Sequence, residues 1–282
     1  MGNHIKQVVT GPKTFEAKDA DYIFNTLINE TQPSNQTFGS QITFTNVSRE
    51  QYEQVKKTLK ERKSRHEGAV FKTKYNAAKK TVKYIREDAL RAAIQPTLAD
   101  IFKDKLKELT VLKHFSDEGR ETLGDGESEG EADFAWKDDK EVHNNWPSGV
   151  VEIGYVATTP DVEEDAAFWF KTSKGAVHVV ISIKISSRGE MSVKVYQGDG
   201  KGGYEVTHVA HVVPPPAEKQ PAEVRGAPIV LTPSRHSKTP EVKFDEGDLK
   251  RIGEEVWFVL KDQMPTPGVW TVEGGKLPRP ES

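Results

Sequence analysis

The sequence Glu131-Ala-Asp133-Phe-Ala-Trp136, followed by Val150-Val-Glu152-Ile-Gly154-Tyr155, places two carboxylates within or beside apolar runs typical of β-strands. Glu152 stands where a strand of this composition normally carries an aliphatic residue. An ionised carboxylate is expensive to bury in such a strand unless a cation or a hydrogen-bond donor meets it. Glu152 therefore marks a candidate site, with Asp133 as its expected companion.

Side chains alternate along a strand, so Val150, Glu152 and Gly154 share one face. Two carboxylates from neighbouring strands form a hard oxygen site that suits Mg²⁺ or Mn²⁺, together with water and phosphate oxygens. The pattern indicates metal-assisted cleavage of phosphodiester bonds, with Asp133 and Glu152 as the metal ligands.

Composition restricts the classes of protein to consider. The chain has 282 residues, 35% of them hydrophobic, which is enough for one large core, and it has no cysteine. Disulfides, zinc–thiolate sites and a cysteine nucleophile are therefore excluded. No run approaches the roughly 20 apolar residues of a membrane span, and Met1-Gly-Asn-His-Ile-Lys6 is no signal segment. We expect an intracellular protein of the cytoplasm or nucleus that makes no membrane contact.

The formal net charge of −3 conceals two oppositely charged blocks. Residues 49–113 hold 18 Lys/Arg against 9 Asp/Glu, a net of +9, whereas residues 115–165 hold 3 against 16, a net of −13. A basic helical region beside an acidic centre is what a phosphate-binding surface around a metal pocket would show. Solvated helix faces and an acidic loop explain the same pattern equally well.

Composition and periodicity divide the chain into three parts. Residues 1–47 are interpreted as a loosely packed N-terminal extension, residues 48–262 as a single α/β domain with its core at about 115–260, and residues 263–282 as a disordered tail. The chain shows no internal repeat.

Helical spacing predicts a helix that begins with a capping box at Ser48 and Gln51 and ends near Gly68, and a second helical region over residues 76–109. The Gly- and acid-rich residues 116–131 predict a mobile loop. The other expected elements are helices over residues 160–174 and 245–260 and β-strands over residues 177–185, 191–196 and 204–213.

The stretches around Asp133, Glu152 and Asp165-Ala-Ala-Phe-Trp169 resemble the PD-(D/E)XK, or restriction-endonuclease-like, superfamily over roughly residues 115–260. More narrowly they resemble fungal proteins with a Val-Glu-Val-Gly-Tyr-Ser type strand. The resemblance implies an α/β fold, with a mixed β-sheet flanked by helices as a restriction-endonuclease-like core, and an N-terminal helical extension. It also implies Mg²⁺ or Mn²⁺ as cofactor, with Asp133, Glu152 and the helix residue Glu87 as metal ligands.

The chain departs from that family at Gly154, which stands where the family's lysine follows the glutamate by two residues. Lys171 and Lys184 are the candidates to replace this catalytic lysine from another element. Two functions therefore stay open: a divalent-metal-dependent nuclease acting on DNA or RNA, or a catalytically inactive nuclease-fold module that binds nucleic acid or protein. A protein whose partner is solely another protein is a third alternative.

Overall fold

The computed structural model describes residues 12–30, 41–65, 70–86, 89–108, 115–117, 122–124, 127–138, 146–155, 162–215, 220–232 and 241–263. These residues form a mixed α/β fold, which confirms the expected fold class. The helices are α1 (Ala20–Glu30), α2 (Arg49–Ser64), α3 (Ala89–Glu108), α4 (Val162–Thr172) and α5 (Glu246–Gln263). The strands are β1 (Lys13–Glu16), β2 (Gln41–Thr45), β3 (Phe71–Asn76), β4 (Thr81–Arg86), β5 (Phe115–Asp117), β6 (Thr122–Gly124), β7 (Glu129–Glu131), β8 (Phe134–Asp138), β9 (Gly149–Tyr155), β10 (Val179–Ile185), β11 (Met191–Gly198), β12 (Tyr204–Val213), β13 (Glu223–Arg225), β14 (Ile229–Leu231) and β15 (Val242–Phe244).

The first sheet has the strand order β1-β2-β4-β3-β7-β6, with β1 parallel to β2 and the other neighbours antiparallel. Residues of α1, α2 and the sheet form one apolar cluster, in which Ile23, Leu27, Phe44 and Tyr52 are fully buried. The expectation of a loosely packed extension is therefore wrong for the described part of residues 1–47. Its alternating apolar residues complete a sheet with strands that lie later in the chain.

The second sheet has the order β13-β12-β11-β10-β9-β8-β5. Strands β9 and β10 are parallel and are connected through α4, because a parallel pair needs a crossover connection. Helices α3 and α5 contribute to the apolar cluster on one face, and α4 contributes to the cluster on the other. The β9–β10 register pairs Glu152 with Ser182 and Gly154 with Lys184.

Several local predictions are confirmed. Ser48 caps α2 with the full capping box, since its side chain accepts from the Gln51 backbone N–H and the Gln51 side chain accepts from the Ser48 N–H. The helices expected over residues 160–174 and 245–260 are α4 and α5, and the strands expected over residues 177–185, 191–196 and 204–213 are β10 to β12.

The helix expected over residues 76–109 is wrong in its first part. Residues 76–86 instead belong to the antiparallel hairpin of β3 and β4, and of the described residues in this range only Ala89–Glu108 are helical. The acidic segment 116–131 likewise contains β6 and β7 within its described residues. Of the expected tail, 263–282, only Gln263 is described, as the last residue of α5.

The two sheets meet where the chain passes from β7 to β8 through Ala132 and Asp133. Strand β7 belongs to the first sheet, where Lys74 pairs with Gly130, and β8 belongs to the second, where Phe134 pairs with Val151. The Asp133 N–H also donates to the Val151 carbonyl at 3.1 Å. Asp133 thus lies at the junction between the sheets, beside β3 and β9.

Candidate functional site

The candidate site is a buried group of charged side chains at this junction. Only 3% of the surface of Asp133 and 2% of that of Glu152 is exposed to solvent. Lys72 and Lys74 of β3 are buried with them. On β3, the residues Phe71, Thr73 and Tyr75 alternate with Lys72 and Lys74, so the two lysines share the face opposite the aromatic residues. That face is covered by the second sheet and α4, so both amines are removed from solvent.

Lys72 bridges the two carboxylates. Its Nζ donates to Asp133 Oδ2 at 2.7 Å and to Glu152 Oε2 at 2.6 Å. The sequence predicts that Asp133 and Glu152 meet at a metal ion. In the structure they meet at the amine of Lys72, a residue of the first sheet.

The other oxygen of Glu152 has two further contacts. Trp169 Nε1 donates to Glu152 Oε1 at 2.5 Å, and Lys74 Nζ lies 2.8 Å from the same oxygen. Lys74 Nζ forms no hydrogen bond, although its distance from Glu152 is that of a close ion pair. We therefore describe the contact between Lys74 and Glu152 as an ion pair. Both carboxylate oxygens of Glu152 are engaged by protein groups.

Asp165 of α4 extends the group of charges. Its Oδ1 lies 3.1 Å from Lys74 Nζ and accepts a hydrogen bond from Lys83 Nζ of β4 at 2.9 Å. The neighbouring Glu164 accepts from Lys83 and from Lys79. The start of α4 is therefore tied to the β3–β4 hairpin by ion pairs.

Asp133 is held from the second sheet and from α3. The Ile153 N–H donates to Asp133 Oδ2 at 2.7 Å, and Gln95 Nε2 lies 3.4 Å from Oδ1. The Arg91 guanidinium donates to the Ile153 carbonyl through Nε at 3.2 Å and Nη2 at 2.9 Å, and its Nε is 3.8 Å from Asp133 Oδ1. Both the N–H and the carbonyl of Ile153, the residue after Glu152, are therefore hydrogen-bonded within the protein.

The pKa shifts follow from this pairing. Burial opposes ionisation of Asp133 and of Asp165, but nearby cations outweigh it and lower the pKa of both: Lys72 and Arg91 for Asp133, Lys74 and Lys83 for Asp165. Burial likewise opposes charging of Lys72, but Asp133 and Glu152 raise its pKa above the usual value. For Glu131, burial is the largest cause and raises its pKa, although Thr73 donates to it at 3.0 Å.

These contacts explain why the sequence has a basic block, residues 49–113, followed by an acidic block, residues 115–165. Cations of the basic block pair with anions of the acidic block: Arg49 and Lys56 with Glu129, Lys72 with Asp133 and Glu152, Lys74 and Lys83 with Asp165. Part of the segregated charge is therefore neutralised between the first sheet with α2 and the acidic elements packed on them.

The other residues proposed from sequence have different positions. Lys184 is half-buried on β10, opposite Gly154 and on the same sheet face as Glu152, and Lys171 is exposed near the end of α4. Within the described chain, neither amine contacts Asp133 or Glu152. Glu87 lies outside the described residues.

The fit of a divalent cation can be judged from the donor set. The two carboxylates converge on the Lys72 amine, and no group of three or more His, Asp or Glu side chains with metal-binding geometry occurs among the described residues. A metal ion between Asp133 and Glu152 would have to displace the lysine. The residues in this arrangement do not fit Mg²⁺ or Mn²⁺.

The chain is similar to a solved structure from Anabaena variabilis described as a "putative nuclease belonging to DUF820". The similarity has a TM-score of 0.37 and 14% identity, and it covers 65% of this chain and 90% of that one. A similarity of this size does not assign a family. No protein-family model and no curated protein matches the chain. Among the described helices, none has the length and apolar character to cross a membrane.

Sequence reasoning missed the cations of the site. The alternation Phe71-Lys-Thr-Lys-Tyr75, repeated in Thr81-Val-Lys-Tyr-Ile85, is a strand signal with lysines on one face. Because residues 76–109 were expected to form a helix, the hairpin that places Lys72, Lys74 and Lys83 on one face was not predicted. Even the correct strand assignment would have placed that face in solvent, because alternating lysines normally mark an exposed face.

We expect stability to fall in acid. The pKa values of Asp133 and Asp165 are lowered by folding, so their contribution is complete above the unfolded pKa of about 3.9 and is lost as the pH falls below it. Glu131, with its raised pKa, acts in the opposite direction. The free energy of unfolding, measured with urea, should decrease by on the order of 2 kcal/mol or more between about pH 5 and pH 2.

Asp165→Asn tests the source of this dependence, with the exposed Glu205→Gln as control. The Asn variant should be less stable at pH 7 and should lose less stability in acid. Parallel pH curves for the variant and the wild type would show that Asp165 is not responsible.

Proposed function

We propose that this protein is a catalytically inactive, nuclease-like interaction module whose partner is nucleic acid. The observation that carries the proposal is the position of Lys72 Nζ, 2.7 Å from Asp133 and 2.6 Å from Glu152. The carboxylate pair is thereby part of an internal ion-pair network that joins the two sheets. A metal ion that displaced Lys72 would leave a buried amine without its carboxylates, and leaving one member of a buried pair uncompensated costs about 3 to 5 kcal/mol.

The surface of α2 supports a nucleic-acid partner. Lys57, Lys60 and Lys63 are exposed and recur every three residues, so they form one row along the helix. Within the described part of the chain, none of the three forms an ion pair. Lysines clustered along a helix are the electrostatic footprint of a surface that contacts phosphates. Such a partner fits a protein of the cytoplasm or nucleus.

Metal-dependent cleavage is the second candidate, and a specific observation favours it. Asp133 and Glu152 converge on a single point, and Lys184 projects from the β10 position opposite Gly154, on the face that carries Glu152. If Lys72 moved away on substrate binding, the pair would be placed to hold Mg²⁺ or Mn²⁺, with Lys184 beside it. This position favours Lys184 over Lys171 as the replacement for the missing lysine.

One set of assays separates the candidates. Single- and double-stranded DNA and RNA should bind with an affinity that falls as salt rises, and they should stay intact with Mg²⁺ or Mn²⁺ as well as with a chelator. The variant Lys57→Ala/Lys60→Ala/Lys63→Ala should reduce the slope of log affinity against log salt by about 3. The exposed Lys201→Ala serves as the control.

Each candidate has an outcome that excludes it. Metal-dependent cleavage that disappears in Asp133→Asn would replace the proposal by the nuclease candidate. No affinity for nucleic acid even at low salt would leave a protein as the partner of the module.

A further inference from the structure

A pocket lies between the β3–β4 hairpin and α4, beyond Asp165 as seen from Glu152. Its volume is about 90 Å³, and the described residues that line it include four lysines, Lys74, Lys79, Lys83 and Lys171, but only two carboxylates, Glu164 and Asp165. The lining therefore carries an excess of two positive charges.

The fold explains why these lysines meet. The β3–β4 register places Lys74 opposite Lys83 and Asn76 opposite Thr81, so four polar side chains form a compact patch on one face of the hairpin. Helix α4 packs over this patch with Glu164, Phe168 and Lys171, which lie four and three residues apart on one side of the helix. The polar wall thus comes from the hairpin, and the opposite wall from the helix.

Two of the lysines have unused donor capacity. Lys74 is 3% exposed, and its Nζ has ion-pair contacts but no hydrogen bond of acceptable geometry. Lys171 is exposed at the pocket and, within the described residues, forms no ion pair. A buried ammonium without directed acceptors is costly, and an anion with several oxygens would supply them.

We propose that this pocket binds a phosphate group. Lysine is a common phosphate ligand, and the tetrahedral oxygens can accept from Lys74 and Lys171, while Asn76 and Thr81 line the same space. The pocket has room for a group of a few heavy atoms, since a cavity of about 10 to 15 Å³ on the same measure already holds one water. The site shares no residue with the lysine row of α2, so it does not depend on the proposed function.

Binding is measured by isothermal titration calorimetry with inorganic phosphate and, separately, with methyl phosphate, against chloride at equal ionic strength. The wild type should show saturable binding of phosphate and none of chloride. Lys171→Ala should weaken it about tenfold or more, because a charge-assisted hydrogen bond is lost. Lys243→Ala, on β15, should bind as the wild type does. Both Lys171 and Lys243 are exposed, so the fold is expected to persist.

The two ligands separate the sources of the phosphate group. Binding of both compounds identifies a phosphate monoester site, and binding of inorganic phosphate alone identifies a site for the free ion. No saturable binding of either compound, or equal affinity in Lys171→Ala and the wild type, overturns the proposal. These outcomes are independent of cleavage and of nucleic-acid affinity.

Discussion

Replacing Lys72 by methionine is expected to lower the free energy of unfolding by about 3 to 5 kcal/mol, as measured by urea denaturation at pH 7. The substitution keeps a long apolar stem but removes the amine between Asp133 and Glu152. Two buried carboxylates would then face each other without the cation that both contact. Of this carboxylate pair, Lys74 contacts only Glu152, and Arg91 contacts only Asp133.

The same variant tests why the protein carries the lysine. With the amine gone, Mn²⁺ or Mg²⁺ can occupy the space between the carboxylates, so millimolar metal should raise the thermal midpoint of Lys72→Met. Wild-type protein should not respond, because the position is already filled. Lys57→Met, on the exposed side of α2, is the matched control and should change neither stability nor metal response. A wild-type protein that is stabilised by metal as strongly as the variant would contradict the structural role of Lys72.

Replacing Glu152 by glutamine should have an effect of similar size, about 3 to 5 kcal/mol in urea denaturation. Glutamine retains the shape of the side chain and an oxygen that can still accept from Trp169 Nε1. The negative charge shared by Lys72 and Lys74 is lost, which leaves each of these buried amines with one carboxylate, Asp133 for Lys72 and Asp165 for Lys74. The loss should be the same with metal or with a chelator, which separates it from the loss of a metal ligand.

A double-mutant cycle isolates the ion pair within this effect. Lys74→Met combined with Glu152→Gln should be less destabilising than the two single changes added together, with a coupling of about 0.5 to 3 kcal/mol. Glu205→Gln, on the exposed part of β12, gives the baseline for loss of an uninvolved carboxylate. Strict additivity of Lys74→Met and Glu152→Gln would mean that their contact contributes nothing measurable to stability.

The elements that could be predicted are those with strong local signals. The capping box at Ser48, the amphipathic α5 and the β-branched strands β9 to β11 carry their structure in a few neighbouring residues. The same is true of the unusual position of Glu152, whose strand composition alone shows that the carboxylate needs a partner. Each of these features depends on residues that are close together in the sequence.

The hairpin formed by β3 and β4 could not be predicted from neighbouring residues. Its Ala- and Lys-rich turn, residues 77–80, resembles helix composition, and the register that joins the two strands depends on pairing across the turn. The packing of β1 and β2 into a sheet was missed for a related reason. Each strand is four or five residues long and gains its stability from burial against α1 and α2.

The sequence by itself determined that this is an α/β chain with an acidic side chain in an apolar strand that must meet a cation or donor. Only the tertiary structure decided that the cation is Lys72, which lies 80 residues before Glu152 in the chain. The choice rests on the packing of the two sheets, which buries the lysine face of β3 against β9 and α4. Local periodicity fixes which residues share a face, whereas long-range packing determines which face leaves the solvent and which charges must pair there.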